Sequence, residues 1–205
     1  TIILLNFKPS FPINGELIID RNQTFIIESR SLIQTGNVTI KDNGTLIIKG
    51  GALQLSIRGE KAYNITVKGN GKLLIVNGNL TALNKSSTIN LMDNGNLTTL
   101  NAFISGFGAI KFYGNSSFTV DSLKLDVKSV LGRCFMIKIV NSEASSNISL
   151  NCSKALIENF KGETLNLNSN ELSLLNFQGV NLKVSALKTD ATNIFIDNAF
   201  IESLN

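Results

Sequence analysis

A short unit built on Asn-Gly recurs along the first half of the chain and limits the folds open to it. The unit reads NGELII at Asn14, NGTLII at Asn43, NGKLLI at Asn70 and NGNLTTL at Asn94, and the interval shortens slightly from copy to copy. Asn-Gly accepts positive φ angles and forms tight turns, and the apolar residues that follow it are typical of strands. The repeat therefore predicts an all-β protein of short strands joined by tight turns.

Two architectures fit this repetition. Stacked hairpins would build an antiparallel sandwich, whereas one coil per repeat would build a short β-solenoid. Because the unit drifts in length and fades after about Leu100, we expect an elongated antiparallel β-sandwich, and the short β-solenoid is the alternative. The later segments still alternate: in SLKLDVKSV, Leu123 and Leu125 fall on one face of a strand and Lys124 on the other.

The N-terminal segment TIILLNF is largely apolar on both faces and precedes KPSFP, which holds both prolines of the chain. Prolines interrupt a hydrogen-bonded ladder and favour an extended spacer, so the segment is expected to protrude from its own body. We predict a donor strand with its spacer over 1–12 and a β-rich body over 13–205, with a soft division near 106–114. An ordinary first strand in the same sheet is the alternative. The expected interface residues are Ile2, Ile3, Leu4, Leu5 and Phe7.

Asparagine is abundant and often stands in the N-glycosylation sequence Asn-X-Ser/Thr. The chain has 27 Asn and 34 Ser and Thr, from which chance would give roughly four to five sequons. Ten are present, at Asn22, Asn37, Asn43, Asn64, Asn79, Asn84, Asn96, Asn115, Asn147 and Asn151. This excess predicts a glycosylated extracellular protein, and we expect glycans above all on Asn22, Asn43, Asn84 and Asn115, which lie beside turns.

The remaining composition excludes several classes of function. The two cysteines, Cys134 and Cys152, are expected to form one disulfide between antiparallel neighbouring segments, with two buried thiols as the alternative. A net charge of +4 spread singly along the chain argues against nucleic acid, and no apolar run approaches the length of a membrane helix. With no histidine and no closely paired acids, we expect no metal, no cofactor and no enzyme activity.

An apolar N-terminal strand, a short spacer, a sequon-dense all-β body and one cysteine pair together resemble the subunits of archaeal thread filaments. The resemblance implies a pilin-like fold similar to bacterial type I pilins, in which Thr1 to Phe7 would enter the neighbouring subunit as the donor strand. The expected function is then a structural subunit of an extracellular, glycosylated surface filament whose partners are copies of itself. Two alternatives are a monomeric β-solenoid surface protein that binds or cleaves carbohydrate, and a monomeric surface-layer or adhesin module.

Overall fold

The computed structural model describes residues 2–4, 12–57, 60–186 and 203–204, with side chains over 12–57 and 60–171. These residues form strands and turns, and none of their segments is a helix that could cross a membrane. The strands are β1 (Ile2–Leu4), β2 (Pro12–Asn14), β3 (Leu17–Ile19), β4 (Thr24–Glu28), β5 (Ser31–Thr35), β6 (Val38–Ile40), β7 (Thr45–Lys49), β8 (Ala52–Leu55), β9 (Ile65–Val67), β10 (Lys72–Val76), β11 (Asn79–Ala82), β12 (Thr88–Leu91), β13 (Asn96–Ser105), β14 (Ala109–Phe112), β15 (Ser117–Asp126), β16 (Ser129–Ala186) and β17 (Ser203–Leu204).

The strands stack in parallel into a β-solenoid with three faces. Face A holds β1, β4, β7, β10, residues 96–100 of β13, 117–121 of β15 and 136–140 of β16. Face B holds β2, β5, β8, β11 and the second halves of β13 and β15, followed by residues 143–144 of β16. Face C holds β3, β6, β9, β12, β14 and residues 129–132 of β16. Each coil therefore contributes one strand, or one segment of a longer strand, to each face before the next coil begins.

The predicted antiparallel sandwich is wrong, and the alternative, a short β-solenoid, fits. Every strand pairing in the described residues is parallel, from β1 on β4 to β16 on β17. The coils differ in length, and the first positions of the face A strands align as Thr24, Thr45, Lys72, Asn96, Ser117 and Met136. The repeat drifts in length because the turns between faces differ, while the strands on each face keep their register.

The first Asn-Gly unit occupies a different place from the others. Asn14 lies at the end of β2 and leads into face C, whereas Asn43 leads into β7 on face A. The true counterpart of Asn43 one coil earlier is Asn22, since Thr24 pairs with Thr45. The interval counted along the sequence from Asn14 to Asn43 therefore joins two different corners of the solenoid and is not the length of one coil.

Close stacking of coils at the turn before face A explains why glycine follows asparagine. Asp42 and Asn43 have φ angles of 49° and 64°, and the Gly44 amide donates to the Lys41 carbonyl across 2.7 Å. Gly44 itself does not need a positive φ angle. At the equivalent Gly71, a Cβ atom would lie 2.5 Å from the carbonyl oxygen of Ile40 in the preceding coil. The glycine is thus required by close stacking of coils, not by the turn conformation.

The interior consists of columns of apolar side chains, one per coil. Alternation buries Leu123 and Leu125 and exposes Lys124, as the sequence predicted. One inward column of face A is Phe25, Leu46, Leu73, Leu97, Phe118 and Ile137. The next is Ile27, Ile48, Ile75, Thr99, Val120 and Ile139, in which Thr99 is the one polar member and its buried Oγ1 has no hydrogen-bond partner.

The N-terminal strand lies on this sheet. Ile2, Ile3 and Leu4 form β1, which extends face A by pairing with residues 24–26 of β4 in the same chain. Leu5 and Phe7 lie outside the described residues. The division of the chain into 1–12 and 13–205, with a softer boundary at 106–114, stays a prediction.

Candidate functional site

One edge of the solenoid, between faces A and B, carries a ladder of asparagines. Asn77, Asn101, Asn141 and Asn159 each turn the chain with φ angles of 48° to 50°. Asparagine is among the few residues with a side chain that accept this left-handed conformation. The side chains also join successive coils, because Asn101 Nδ2 donates to Asn77 Oδ1 across 2.9 Å and Asn159 Nδ2 donates to Asn141 Oδ1 across 2.9 Å. We call this set the A–B edge ladder.

Ser122 interrupts the ladder between Asn101 and Asn141. It has the same left-handed backbone, with a φ angle of 53°, but its shorter side chain donates to Asp121 Oδ1 across 2.9 Å. Asn141 Nδ2 turns to the same Asp121 oxygen across 3.2 Å. Because the serine side chain is shorter than that of asparagine, it leaves space on the outer surface at this coil.

A shallow open groove of about 390 Å³ lies at this interruption. It crosses three successive coils, with one short segment from each. Its lining residues are Ser122, Leu123, Lys124, Asn141, Ser142, Glu143, Asn159 and Lys161. Seven of these eight side chains are polar, and all of them stand on the stacked strands β15 and β16. Side chains on strands are held more precisely than side chains on loops, so the groove presents a fixed array of polar groups.

Hydrogen bonds inside the sheet support the groove from below. The Ser142 side chain is buried, and its Oγ donates to the Val140 carbonyl across 2.6 Å. The same oxygen accepts the Leu123 amide across 3.0 Å. Ser142 thus replaces a ladder carbonyl where neighbouring backbones separate at the corner, and it fixes the spacing of the two coils beneath the groove.

The charges of the groove alternate. Lys124 and Glu143 are register partners on face B, and Lys124 Nζ lies 3.0 Å from Glu143 Oε1. The hydrogen bond and charge of Lys124, together with the more distant charge of Lys161, lower the pKa of the Glu143 carboxyl. Glu143 is therefore ionised at neutral pH and sits between two ammonium groups. The groove offers positive, negative and neutral polar groups within three coils.

This donor and acceptor set suits a hydroxylated ligand. Each asparagine amide supplies two N–H donors and one acceptor oxygen, a lysine supplies three donors, and a carboxylate accepts only. Within the residues that the structure describes, no group of three or more His, Cys, Asp or Glu is placed to hold a metal ion. The side chains that line the groove can form hydrogen bonds and ion pairs with a ligand. The absence of enzyme activity expected from the sequence stays a prediction.

The predicted disulfide residues meet inside the solenoid. The Sγ atoms of Cys134 and Cys152 lie 2.8 Å apart on neighbouring coils, and both side chains are buried as thiols. The expectation that their segments are antiparallel is wrong, because these segments belong to the parallel winding of β16. The hydrogen bond with Cys134, followed by burial, raises the pKa of the Cys152 thiol. Formation of a disulfide stays a prediction.

The ten sequon asparagines are spread over the outer surface. Seven are exposed and three, Asn64, Asn84 and Asn96, are half-buried. None of the four A–B edge ladder asparagines starts a sequon. The groove was not predicted from the sequence, although the asparagines that recur at positions 77, 101, 141 and 159 were the signal that could have found this edge.

No protein-family model, no curated protein and no solved structure matches the chain.

Proposed function

We propose that the protein is a β-solenoid surface protein that binds carbohydrate in the groove on its A–B edge. The observation that carries this proposal is the lining, in which Asn141, Asn159, Ser122 and two lysines line one groove together with the ionised carboxylate of Glu143. Pockets for apolar small molecules are concave and mostly apolar. A shallow, polar groove on a rigid sheet favours instead a hydrophilic ligand that keeps much of its own surface in water.

The repeating architecture favours a ligand that is itself a polymer. Successive coils lie about 4.8 Å apart and present corresponding side chains at that interval. Stacked repeats build extended binding surfaces of this kind. A regular oligosaccharide can therefore bond to Ser122, Asn141 and Asn159 on three consecutive coils. Nucleic acid fits less well, because Glu143 neutralises Lys124 and the concentrated basic surface that phosphates need is missing from the groove.

The test is binding to a panel of neutral and uronic-acid oligosaccharides, with two matched variants. Asn141→Gly removes a groove amide while glycine keeps the left-handed backbone, and Asn101→Gly makes the same change on the same edge outside the groove lining. We expect at least one oligosaccharide to bind, about tenfold more weakly to Asn141→Gly, and unchanged to Asn101→Gly. Failure of the native protein to bind any of them, or equal loss in both variants, would contradict the proposal.

Assembly into an extracellular filament like the archaeal threads is the second candidate, and its support is the apolar N-terminal segment. We place it second because β1 already pairs with β4 of its own chain. Deletion of residues 1–7 tests it. If the segment joins subunits, the shortened protein stays soluble and no longer polymerises, and filaments of normal length from it would exclude the role.

A further inference from the structure

Three sequons share one edge of the solenoid, the turns between faces C and A. Asn22, Asn43 and Asn115 each lie in a turn that leads into a face A strand, and each is exposed. Within the described part of the chain, the side-chain amides of these three residues make no hydrogen bond. Their counterparts on the intervening coils are Asn70 and Asn94, which are not in sequons. Asn94 Nδ2 donates to Asn70 Oδ1 across 3.2 Å. The amide nitrogens of these three sequons are therefore open to a glycosyltransferase.

Two other sequons have their amide nitrogens engaged. Asn84 Nδ2 donates to the Glu60 carbonyl across 3.2 Å, and Asn84 Oδ1 accepts the Ser86 amide across 2.8 Å. Asn96 Nδ2 donates to Ser117 Oγ across 2.7 Å, and Asn96 Oδ1 accepts from Thr98. Both asparagines are half-buried. An N-glycan replaces one of the two N–H hydrogens of an asparagine amide, so at these half-buried positions the sugar would have to fit among groups that already hydrogen-bond to the asparagine.

The A–B edge differs from both sets. Its ladder asparagines are followed two positions later by Asn79, Phe103, Glu143 and Lys161, so none can accept an N-glycan. The sequon residue Asn79 begins β11 on face B, two residues after the ladder asparagine Asn77 and two coils before Lys124 in the register. The edge that carries the groove thus lacks acceptors in its own turns.

We propose that Asn22, Asn43 and Asn115, on the edge between faces C and A, accept N-glycans and that the half-buried Asn84 and Asn96 do not. In the reaction the asparagine Nδ2 bonds to the anomeric carbon of a sugar from a lipid-linked phosphate donor. The phosphate leaves with the electron pair of the broken C–O bond, and Nδ2 loses one proton. Glycans on these three residues cover the turns between faces C and A, whereas the four ladder asparagines of the A–B edge cannot accept one. This pattern does not depend on the groove binding carbohydrate.

Neighbouring coils limit how many glycans the edge can hold. Asn22 and Asn43 lie on adjacent coils, about 4.8 Å apart, so two glycans there would touch one another. Asn115 lies three coils beyond Asn43, about 14 Å away along the solenoid. We therefore expect full occupancy of Asn115 and shared occupancy of the other two.

The experiment is site-resolved mass spectrometry of the protein from its native source, together with single Asn→Gln variants made in the same host. We expect glycopeptides that contain Asn115 and either Asn22 or Asn43, and unmodified peptides that contain Asn84 and Asn96. Asn115→Gln should remove the mass of one glycan, and Asn84→Gln and Asn96→Gln should remove none. A native polypeptide that carries no glycan mass, or occupancy of Asn84 and Asn96 equal to that of Asn115, would overturn the proposal.

Discussion

Asn101 donates its side-chain amide to the side-chain oxygen of Asn77 across 2.9 Å, and both residues hold left-handed φ angles, 48° and 50°. One residue type thus satisfies the backbone conformation of the corner and also bonds consecutive coils. Ser122 has the same left-handed backbone, with a φ angle of 53°, but lacks the amide side chain that asparagine supplies at this corner. The groove lies at this position.

Ser122→Asn should stabilise the protein and weaken ligand binding at the same time. Asparagine adopts the left-handed conformation more readily than serine and can extend the ladder, which together should raise the free energy of unfolding by about 0.5–1 kcal/mol. The larger side chain also fills space in the groove. Urea denaturation measures the first effect, with Ser145→Asn, an exposed serine without a positive φ angle, as the control. Equal changes in the free energy of unfolding in the two variants would show that the corner does not favour asparagine over serine.

Thr99→Val should stabilise the core. Thr99 lies in an inward column between Ile75 and Val120, and its buried hydroxyl has no partner. Replacing an unsatisfied buried hydroxyl with a methyl group of the same shape removes a desolvation penalty of about 1–3 kcal/mol. The adjacent Thr98→Val is the control, because Thr98 faces outward and donates to Asn96. The melting temperature of Thr99→Val should be higher than that of the native protein, and the melting temperature of Thr98→Val should be lower. The reverse order would show that Thr99 does not face the core.

Gly71→Ala should destabilise the solenoid strongly. The new Cβ would lie 2.5 Å from the Ile40 carbonyl oxygen, so adjacent coils would have to separate. Gly50→Ala is the control: its φ angle of 60° imposes about 1–2 kcal/mol of backbone strain, but the nearest atom, Ser29 Oγ, is 3.5 Å away. Denaturant midpoints measured on both variants should fall further for Gly71→Ala. A larger loss at Gly50 would mean that turn conformation, and not close stacking, requires the glycine.

Part of the fold could be predicted from the sequence because alternation depends only on neighbouring residues. Leu123, Lys124 and Leu125 lie on the predicted faces, and the Asn-Gly units do mark turns. Parallel and antiparallel sheets share the same alternation, however, so it cannot distinguish a sandwich from a solenoid. The turn at Asp42 and Asn43 even has the positive φ angles of a hairpin, yet it directs the chain to the next face. The parallel pairing of Thr45 with Thr24, and the close approach of Gly44 to the preceding coil, distinguish the two cases.

The groove could not be predicted from the sequence for a different reason. Its lining residues come from three coils, and coil length changes along the edge: Asn77 and Asn101 are 24 residues apart, whereas Asn141 and Asn159 are 18 apart. The proximity of the lining residues depends on the register between coils, which local sequence does not specify. The cysteine pair was easier to recognise, because the chain has only two cysteines.

Oxidation should join Cys134 to Cys152 with little movement, because their Sγ atoms are already 2.8 Å apart. A bridge across this short loop should stabilise the folded protein by roughly 3 kcal/mol in the chain-entropy model. Thiol labelling after unfolding without reductant should find no reactive thiol in protein exposed to air. Two labelled cysteines per chain would show that the bridge does not form.

The reduced protein should lose stability above about pH 8.5. The pKa of Cys152 is raised in the folded state, so the folded protein keeps its proton while the unfolded chain ionises near pH 8.5. The contribution of the protonated Cys152 thiol to the free energy of unfolding is fully present below that pH and declines as the pH rises above it. Unfolding in the presence of reductant at pH 7.5 and 9.5 measures the decline, and Cys152→Ala should show a smaller one. An identical pH dependence in both proteins would contradict this assignment.

Chemical-shift mapping by NMR tests the central claim most directly. Titration with an oligosaccharide that binds should shift the backbone amides of residues 122–124, 141–143 and 159–161 together, with one dissociation constant, because they lie side by side on three coils. The titration with Asn101→Gly should give the same map, and the titration with Asn141→Gly should give weaker shifts. Shifts confined to one of the three segments, or centred on another face, would contradict both the stacking of these coils and the assignment of the groove as the carbohydrate site.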